Sequence, residues 1–171
     1  MGDKFQDLYR IDSNRLPDWD YSSDGSYFIT ICARNHNLYF GELKNKNIHF
    51  TDIGKIADKY WLEMPNTYKN LFLDKYVIMP DHVHLLFHIR NSKKSMSGKL
   101  QYNSFGSLIK NSVSSIINHY KGKVTKYARK NKIEFVWQSR FDDHVIKSEA
   151  ELKRIRNYIV KNIQNWNSSN E

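Results

Sequence analysis

The sequence has one cysteine, Cys32, no internal repeat or low-complexity block, and no apolar run long enough to span a bilayer. A lone thiol excludes an internal disulfide and any thiolate-rich zinc site. The lack of a long apolar run excludes a membrane-spanning helix. The opening residues, Met1-Gly2-Asp3-Lys4-Phe5-Gln6-Asp7, have no apolar h-region of the kind a secretory signal needs. A cytoplasmic protein without a membrane partner is therefore expected. Acidic side chains are scarce as well: 18 Asp+Glu against 27 Lys+Arg leave a net charge of +9 and a pI near 9.5. An excess of that size points to a polyanionic partner, nucleic acid ahead of a membrane surface.

What is present is a chain of 171 residues, expected to be one domain (1–171) large enough to bury a real core. Residues 1–25 read as a loosely ordered arm and 167–171 as a frayed tail. Aromatics make up 14% of the chain, and rings beside positive charge suit single-stranded nucleic acid, because every base offers a face to stack on.

Tyr27 to Ala33, rich in β-branched and aromatic residues, predicts a first strand, and Ile48-His49-Phe50 a short extended piece. Thr51 or Asp52 is placed to cap a helix carrying Ile53, Ile56, Ala57, Tyr60, Trp61 and Met64. Leu71 to Met79 and His82 to Ile89 read as paired strands around Pro80-Asp81. Arg90 to Tyr102 reads as a basic loop, Ser104 to Tyr120 as a second helix, Lys121 to Lys132 as a basic connection, and Ile133 to Trp137 as an extended, strand-like segment. Ser148-Glu149-Ala150-Glu151 matches a capping box before a helix with Leu152, Ile155, Ile159, Ile163 and Trp166 on its buried face. This order predicts an α+β, ferredoxin-like antiparallel sheet with helices packed on it, plus the C-terminal helix.

The chemistry concentrates in His82-Val83-His84. On a strand, residues i and i+2 share a face, so both imidazoles can close on one ion while Val83, Leu85 and Phe87 enter the core. Two neutral imidazole nitrogens begin a divalent-metal site and leave most of the coordination sphere open. The plain alternative is two histidines on a half-polar strand face. His88 shares that face but lies about 13 Å from His84 at 3.3 Å per residue, too far for the same ion. On the last helix, Tyr158 and Asn162 are four apart and occupy one stripe beside the buried face. Spacing alone does not make Tyr158 a nucleophile.

Tyr76-Val77-Ile78-Met79-Pro80-Asp81-His82-Val83-His84-Leu85-Leu86 resembles the histidine–hydrophobic–histidine strand of the single-tyrosine HUH transposases of insertion sequences. Val136 to Lys147 is similar to a segment of one branch, the REP-associated tyrosine transposases, and Tyr158-Ile159-Val160-Lys161-Asn162 resembles that branch's nucleophile helix. Tyr27-Phe28-Ile29-Thr30-Ile31 is also similar, so the resemblance covers residues 25 to 166 or so. It implies a transposase that binds a hairpin in single-stranded DNA and cuts nearby through a tyrosine. By position, His82 and His84 become ligands of Mg²⁺ or Mn²⁺, Asn162 the third ligand and Tyr158 the nucleophile. The branch usually has proline after the asparagine; here it is Ile163, which permits a further helical turn.

A phenol with a pKa of about 10 needs help to attack at neutral pH, and a divalent ion on the scissile phosphate supplies it. The implied product is a 5′-phosphotyrosine with a free 3′-hydroxyl, rejoinable without ATP. Lys93, Lys94, Lys121, Lys123, Arg129 and Lys130 are candidates for phosphate contact, with salt-sensitive affinity as the signature. Asp143 and His144 are candidates to supply a further ligand or to support the ligands, or, more readily, to pin their segment to the sheet. Both monomer and homodimer remain open, since some relatives complete each site with a partner's tyrosine helix. Three other readings stand beside this one. A histidine-triad hydrolase lacks its third histidine, because Leu86 occupies the place. A replication-initiator-type nickase shares the histidine pair but usually carries further domains. A non-catalytic module for single-stranded nucleic acid, with a vestigial metal site, is excluded by no sequence feature.

Overall fold

The alternation along Tyr27-Phe28-Ile29-Thr30-Ile31 divides a strand into two faces: Tyr27, Ile29 and Ile31 are fully buried, while Phe28 and Thr30 point the other way. The computed structural model describes residues 4–5, 8–9, 19–91 and 110–166. In chain order the elements are β1 (Lys4–Phe5), β2 (Leu8–Tyr9), β3 (Gly25–Cys32), β4 (Gly41–Lys44), β5 (Asn47–Phe50), α1 (Asp52–Thr67), β6 (Leu71–Ile78), β7 (His82–Ile89), α2 (Val113–Lys130), β8 (Asp142–Ile146) and α3 (Glu149–Asn165). A short 3₁₀ turn, Arg34–His36, follows β3.

Four of these strands form an antiparallel sheet in the spatial order β6-β7-β3-β8. The run β3-α1-β6-β7-α2-β8 is a β-α-β-β-α-β connection. Helices α1 and α2 cover the face bearing Tyr27, Ile29, Ile31, Val83, Leu85 and Phe87. Helix α3 covers the other face, its apolar row seated on Phe28, Val77, Met79, Leu86 and Ile146. The α+β class expected from the order of elements is what the chain adopts.

Local chemistry sets the boundaries. Thr51, Ser112 and Ser148 each cap a helix by accepting from a backbone N–H three residues on, a contact worth about 1 kcal/mol. The β4–β5 hairpin turns on Asn45 and Lys46, whose φ values of 51° and 61° belong to a type I′ turn. In the first turn of α1, a Cβ on Gly54 would stand 2.0 Å from the Phe40 carbonyl oxygen, so only glycine lets the helix approach so closely.

Three expectations are corrected. The second helix begins at Val113, capped by Ser112, and continues to Lys130. Lys121 to Lys130 is thus its second half, because Tyr120, Val124 and Ala128 extend the buried stripe begun by Val113, Ile116 and Ile117. Phe105, Leu108 and Ile109, assigned to the same helix, lie outside the described residues. Ile133 to Trp137 makes no strand, only an isolated bridge from Trp137 to Ala33. Its rings are drawn into an aromatic cluster with Tyr39 and Phe40. The edge position beside β3 is instead taken by β8, which the sequence reading did not identify as a strand.

Candidate active site

The register of β7 on β3 places Cys32 opposite His82, Thr30 opposite His84, Phe28 opposite Leu86 and Ser26 opposite His88. Directly opposed residues share a face, so both histidines stand on the α3 side of the sheet, away from the core under α1 and α2. Val83 and Leu85, between and beyond them, are fully buried in that core.

The imidazoles converge through their Nε2 atoms, which are 3.1 Å apart. Each ring is fixed from behind through Nδ1. His82 Nδ1–H donates to Oδ1 of the buried Asp81, whose Oδ2 accepts from His36 Nδ1 at 2.7 Å. His84 Nδ1 meets Thr30 Oγ1 at 2.8 Å. The Asp81 carboxylate leaves His82 Nε2 with a lone pair, the tautomer a metal ligand requires. Thr30 is the adaptable partner, since a hydroxyl either donates or accepts. When it donates, His84 Nε2–H can bridge to His82; when it accepts, both Nε2 lone pairs face one point and call for a cation between them. Burial pushes His84 down to a pKa of about 3, aided by the neighbouring His82 ring, so His84 stays neutral near pH 7. Burial would raise the Asp81 carboxyl, but the hydrogen bonds from His82 and His36 outweigh it and hold it below the usual range.

This donor set fits a divalent ion. Among the described residues no three or more His, Cys, Asp or Glu side chains are arranged to hold one metal ion, so the remaining coordination positions fall to a neutral side chain, water or substrate.

Helix α3 runs along β7 in the opposite sense. Arg156 lies over Asp74, which holds His88; Tyr158 reaches His84, and Trp166 packs its ring 5.7 Å from that of His82. The Tyr158 hydroxyl lies 3.3 Å from His84 Nε2, with its ring edge-on to Phe28, and the residue remains 48% exposed. Phe28 in turn stacks on His84 with centroids 5.2 Å apart. Asn162, one turn beyond Tyr158, is buried beneath the helix.

The structure brings together His82, His84 and Tyr158, and puts Asn162 on the same helix face as Tyr158. It does not bring the basic candidates there. Lys121, Lys123, Arg129 and Lys130 are on α2, in the layer on the far side of the sheet. Lys121 Nζ donates to the Gln138 and Ser139 carbonyls, at 2.8 and 3.3 Å, and burial lowers its pKa. Lys123 pairs with Glu63 at 3.2 Å and sits over the Tyr60 ring. Arg129 and Lys130 are exposed in the last turn of α2, where positive charge complements the negative end of the helix dipole. Lys93 and Lys94 lie outside the described residues. His144 bonds Glu151 at 2.7 Å, and Glu151 also accepts from Lys147 N, so this pair fastens β8 to the start of α3. Asp143 is in register with Ile29 and thus sits on the face opposite the histidine pair.

Comparison with known proteins adds family and fold. The chain is 33% identical over 159 residues to an uncharacterized protein of Haemophilus influenzae, covering 90% of this chain and 88% of that one. The chain belongs to that protein's family. No protein-family model matches it. Its fold is similar to that of a REP-associated tyrosine transposase solved bound to a REP hairpin, with a TM-score of 0.59 over 86% of this chain and 72% of that one. Identity there is 15%, so the likeness is one of fold.

Several members of this site carry no local signal of their role in the sequence alone. Asp81 was visible only as a turn residue, and Thr30 and Phe28 only as strand residues. The available signal was phase: Phe28 and Thr30 alternate with the buried Tyr27, Ile29 and Ile31, which puts them on the histidine face once β3 and β7 pair. Nothing local marks His36, which reaches Asp81 from a turn where Asn35 and His36 both have positive φ.

Proposed function

We propose that the protein is a transposase-type, metal-dependent DNA transesterase that cleaves and rejoins hairpin-bearing single-stranded DNA, with Tyr158 as nucleophile. The observation that carries this reading is the Tyr158 hydroxyl at 3.3 Å from His84 Nε2, which is itself 3.1 Å from His82 Nε2. An exposed phenol held against a convergent imidazole pair on a sheet of transposase fold suits phosphoryl transfer better than any other use of these side chains. The β-α-β-β-α-β connection is read as ferredoxin-like, in keeping with that fold.

His82 and His84 would hold Mg²⁺ or Mn²⁺, with the Asn162 amide as third protein ligand. When bound, the ion would draw charge from a non-bridging oxygen of the scissile phosphate. Asp81 and Thr30 keep the two rings aimed. Phe28 and the helix seat keep Tyr158 beside them, which limits the freedom the attack must overcome. The new bond is Tyr158 Oη to phosphorus. The bond that breaks is phosphorus to O3′, the phenolic proton passes to solvent, and the departing 3′-oxygen takes up a proton. One phosphoester replaces another, so the reverse step rejoins strands without an added energy source. Exposed cations such as Arg129 and Lys130 would neutralise DNA backbone away from the cut.

The test uses a single-stranded DNA carrying a REP-like hairpin, with Mn²⁺ or Mg²⁺. Cleavage should leave a 3′ hydroxyl that a polymerase extends and a 5′ end carried on the protein, which protease trims to a peptide without opening it to phosphatase and kinase. A free 5′ phosphate, open to phosphatase and then kinase with no protein attached, would instead indicate a water-using nuclease, and binding without any cleavage would favour a binding module. Asn162→Ala should shift the metal requirement to higher concentration with the products unchanged.

A further inference from the structure

The apolar seat of α3 does not fix where along the sheet the helix stops. Ile155, Ile159 and Ile163 recur every four residues and pack, with Leu152 and Trp166, on one hydrophobic strip. A slide of one turn sets isoleucine where isoleucine was and keeps most of that burial. It would also carry Tyr158 away and leave Arg154 or Asn162 at its place over His84. The Glu151 contacts to His144 and Lys147 N hold the first turn, so the register at Tyr158 calls for a directional contact further along the helix.

Asp74 provides one. It lies where the pairing of β6 with β7 shifts between Leu73 and Tyr76, a bulge that leaves Asp74 and Lys75 facing Leu86. Arg156 Nε donates to both its oxygens, at 3.1 and 2.9 Å, and Arg156 Nη2 adds a third contact at 2.6 Å. Behind it, His88 Nε2–H donates to Asp74 Oδ2 at 3.0 Å, and the Ser26 hydroxyl donates to His88 Nδ1 at 2.7 Å. A line through β3, β7 and β6 thus presents a fixed carboxylate beneath α3. After a one-turn slide Leu152 or Val160 would cover it, stranding a carboxylate whose side chain is only 10% exposed.

We propose that the Asp74–Arg156 pair is a register pin that places Tyr158 on His84. Both are positioning residues, acting through the helix and touching no reacting atom. The catalytic consequence rests on Tyr158 being the nucleophile, but the placement itself does not. Arginine is needed because its planar fork engages both carboxylate oxygens at once, which a lysine cannot do.

The experiment compares Arg156→Gln, Arg156→Lys and Asp74→Asn with the unaltered protein by NMR with labelled aromatic rings. In the unaltered protein the Tyr158 ring should show contacts to His84 and Phe28, whose centroids are 5.3 and 6.1 Å away. Arg156→Gln and Asp74→Asn should lose these or weaken them several-fold, and Arg156→Lys should be intermediate. The Tyr27–Phe87 contact in the opposite core should persist in all of them. In parallel, covalent-adduct formation at saturating hairpin DNA should slow by about 10²-fold in Asp74→Asn, the scale of a small misplacement, with hairpin affinity within about twofold. Unchanged Tyr158 contacts would overturn the pin, as would loss of the Tyr27–Phe87 contact alongside them or a rate loss due wholly to weaker DNA binding. If the unaltered protein forms no adduct, the functional reading fails while the NMR contacts still decide the register.

Discussion

The phenolic oxygen of Tyr158 lies 3.3 Å from Nε2 of His84, although 74 residues of chain separate them. Two features close that gap: the pleat of β7, which turns His82 and His84 to one face, and the apolar row of α3, which seats the helix on that face. Neither alone makes a site. Their meeting gives a convergent imidazole pair, the His84 ring buried and neutral, with an exposed phenol beside it.

Thr30 should matter through His84. Thr30→Val keeps the shape of the side chain and removes the hydroxyl that fixes His84 Nδ1. Metal affinity should fall about 10- to 100-fold, as for other partners of ligating histidines. Cleavage titrated with Mn²⁺ reads this directly: the requirement should move to higher concentration while the rate at saturation changes less. An unchanged titration would remove Thr30 from the site.

The metal-free protein should lose stability in acid. His84 has a folded-state pKa of about 3, mainly through burial, whereas an unfolded histidine titrates near about 6.5. Between those values the unfolded chain binds more protons, so stability is full above about pH 6.5 and falls as pH drops towards 3. Denaturant midpoints measured from pH 7 to pH 4 should decline, and His84→Gln should decline less over the same window. Parallel curves would mean that the ring takes up its proton without unfolding.

Lys121 should act on stability before DNA. Its ammonium ties α2 to the Gln138 and Ser139 carbonyls. Lys121→Met should cost about 1.5–3 kcal/mol, the range for hydrogen bonds from a charged donor, read as a lower denaturant midpoint. The dependence of hairpin affinity on salt should keep its slope. A slope reduced by about one with stability intact would instead identify Lys121 as a phosphate contact.

How much of this was legible in the sequence differs by residue. His82 to Ile89 was readable to the residue as a strand, because Val83, Leu85, Phe87 and Ile89 recur at every second position there. So was the start of α3, where Ser148 caps Glu151 N. The hidden parts depend on non-local pairing. β8 carries three polar residues, Asp142, Asp143 and His144, and becomes a strand only because the edge of β3 is open to it. The second half of α2 looked like a basic connection because its lysines mask the stripe of Tyr120, Val124 and Ala128. Asp81 and Thr30 became visible as ring-holding residues only when registers were known, and Asp74–Arg156 spans 82 residues with no local signal at either end.

The choice of tyrosine is the most direct point of attack on the whole account. Tyr120, on α2, is fully buried, donates to the Ala57 carbonyl, and has its pKa raised by burial. It cannot meet a phosphate without unfolding α2. The decisive measurement is mass spectrometry of protease fragments from protein incubated with single-stranded hairpin DNA and Mn²⁺, using the unaltered chain and Tyr158→Phe. The account predicts a nucleotide-bearing peptide containing Tyr158 in the first and no DNA-linked peptide in the second, with hairpin binding retained by both. A DNA-linked peptide that persists in Tyr158→Phe, or one mapped to any other residue, would contradict it.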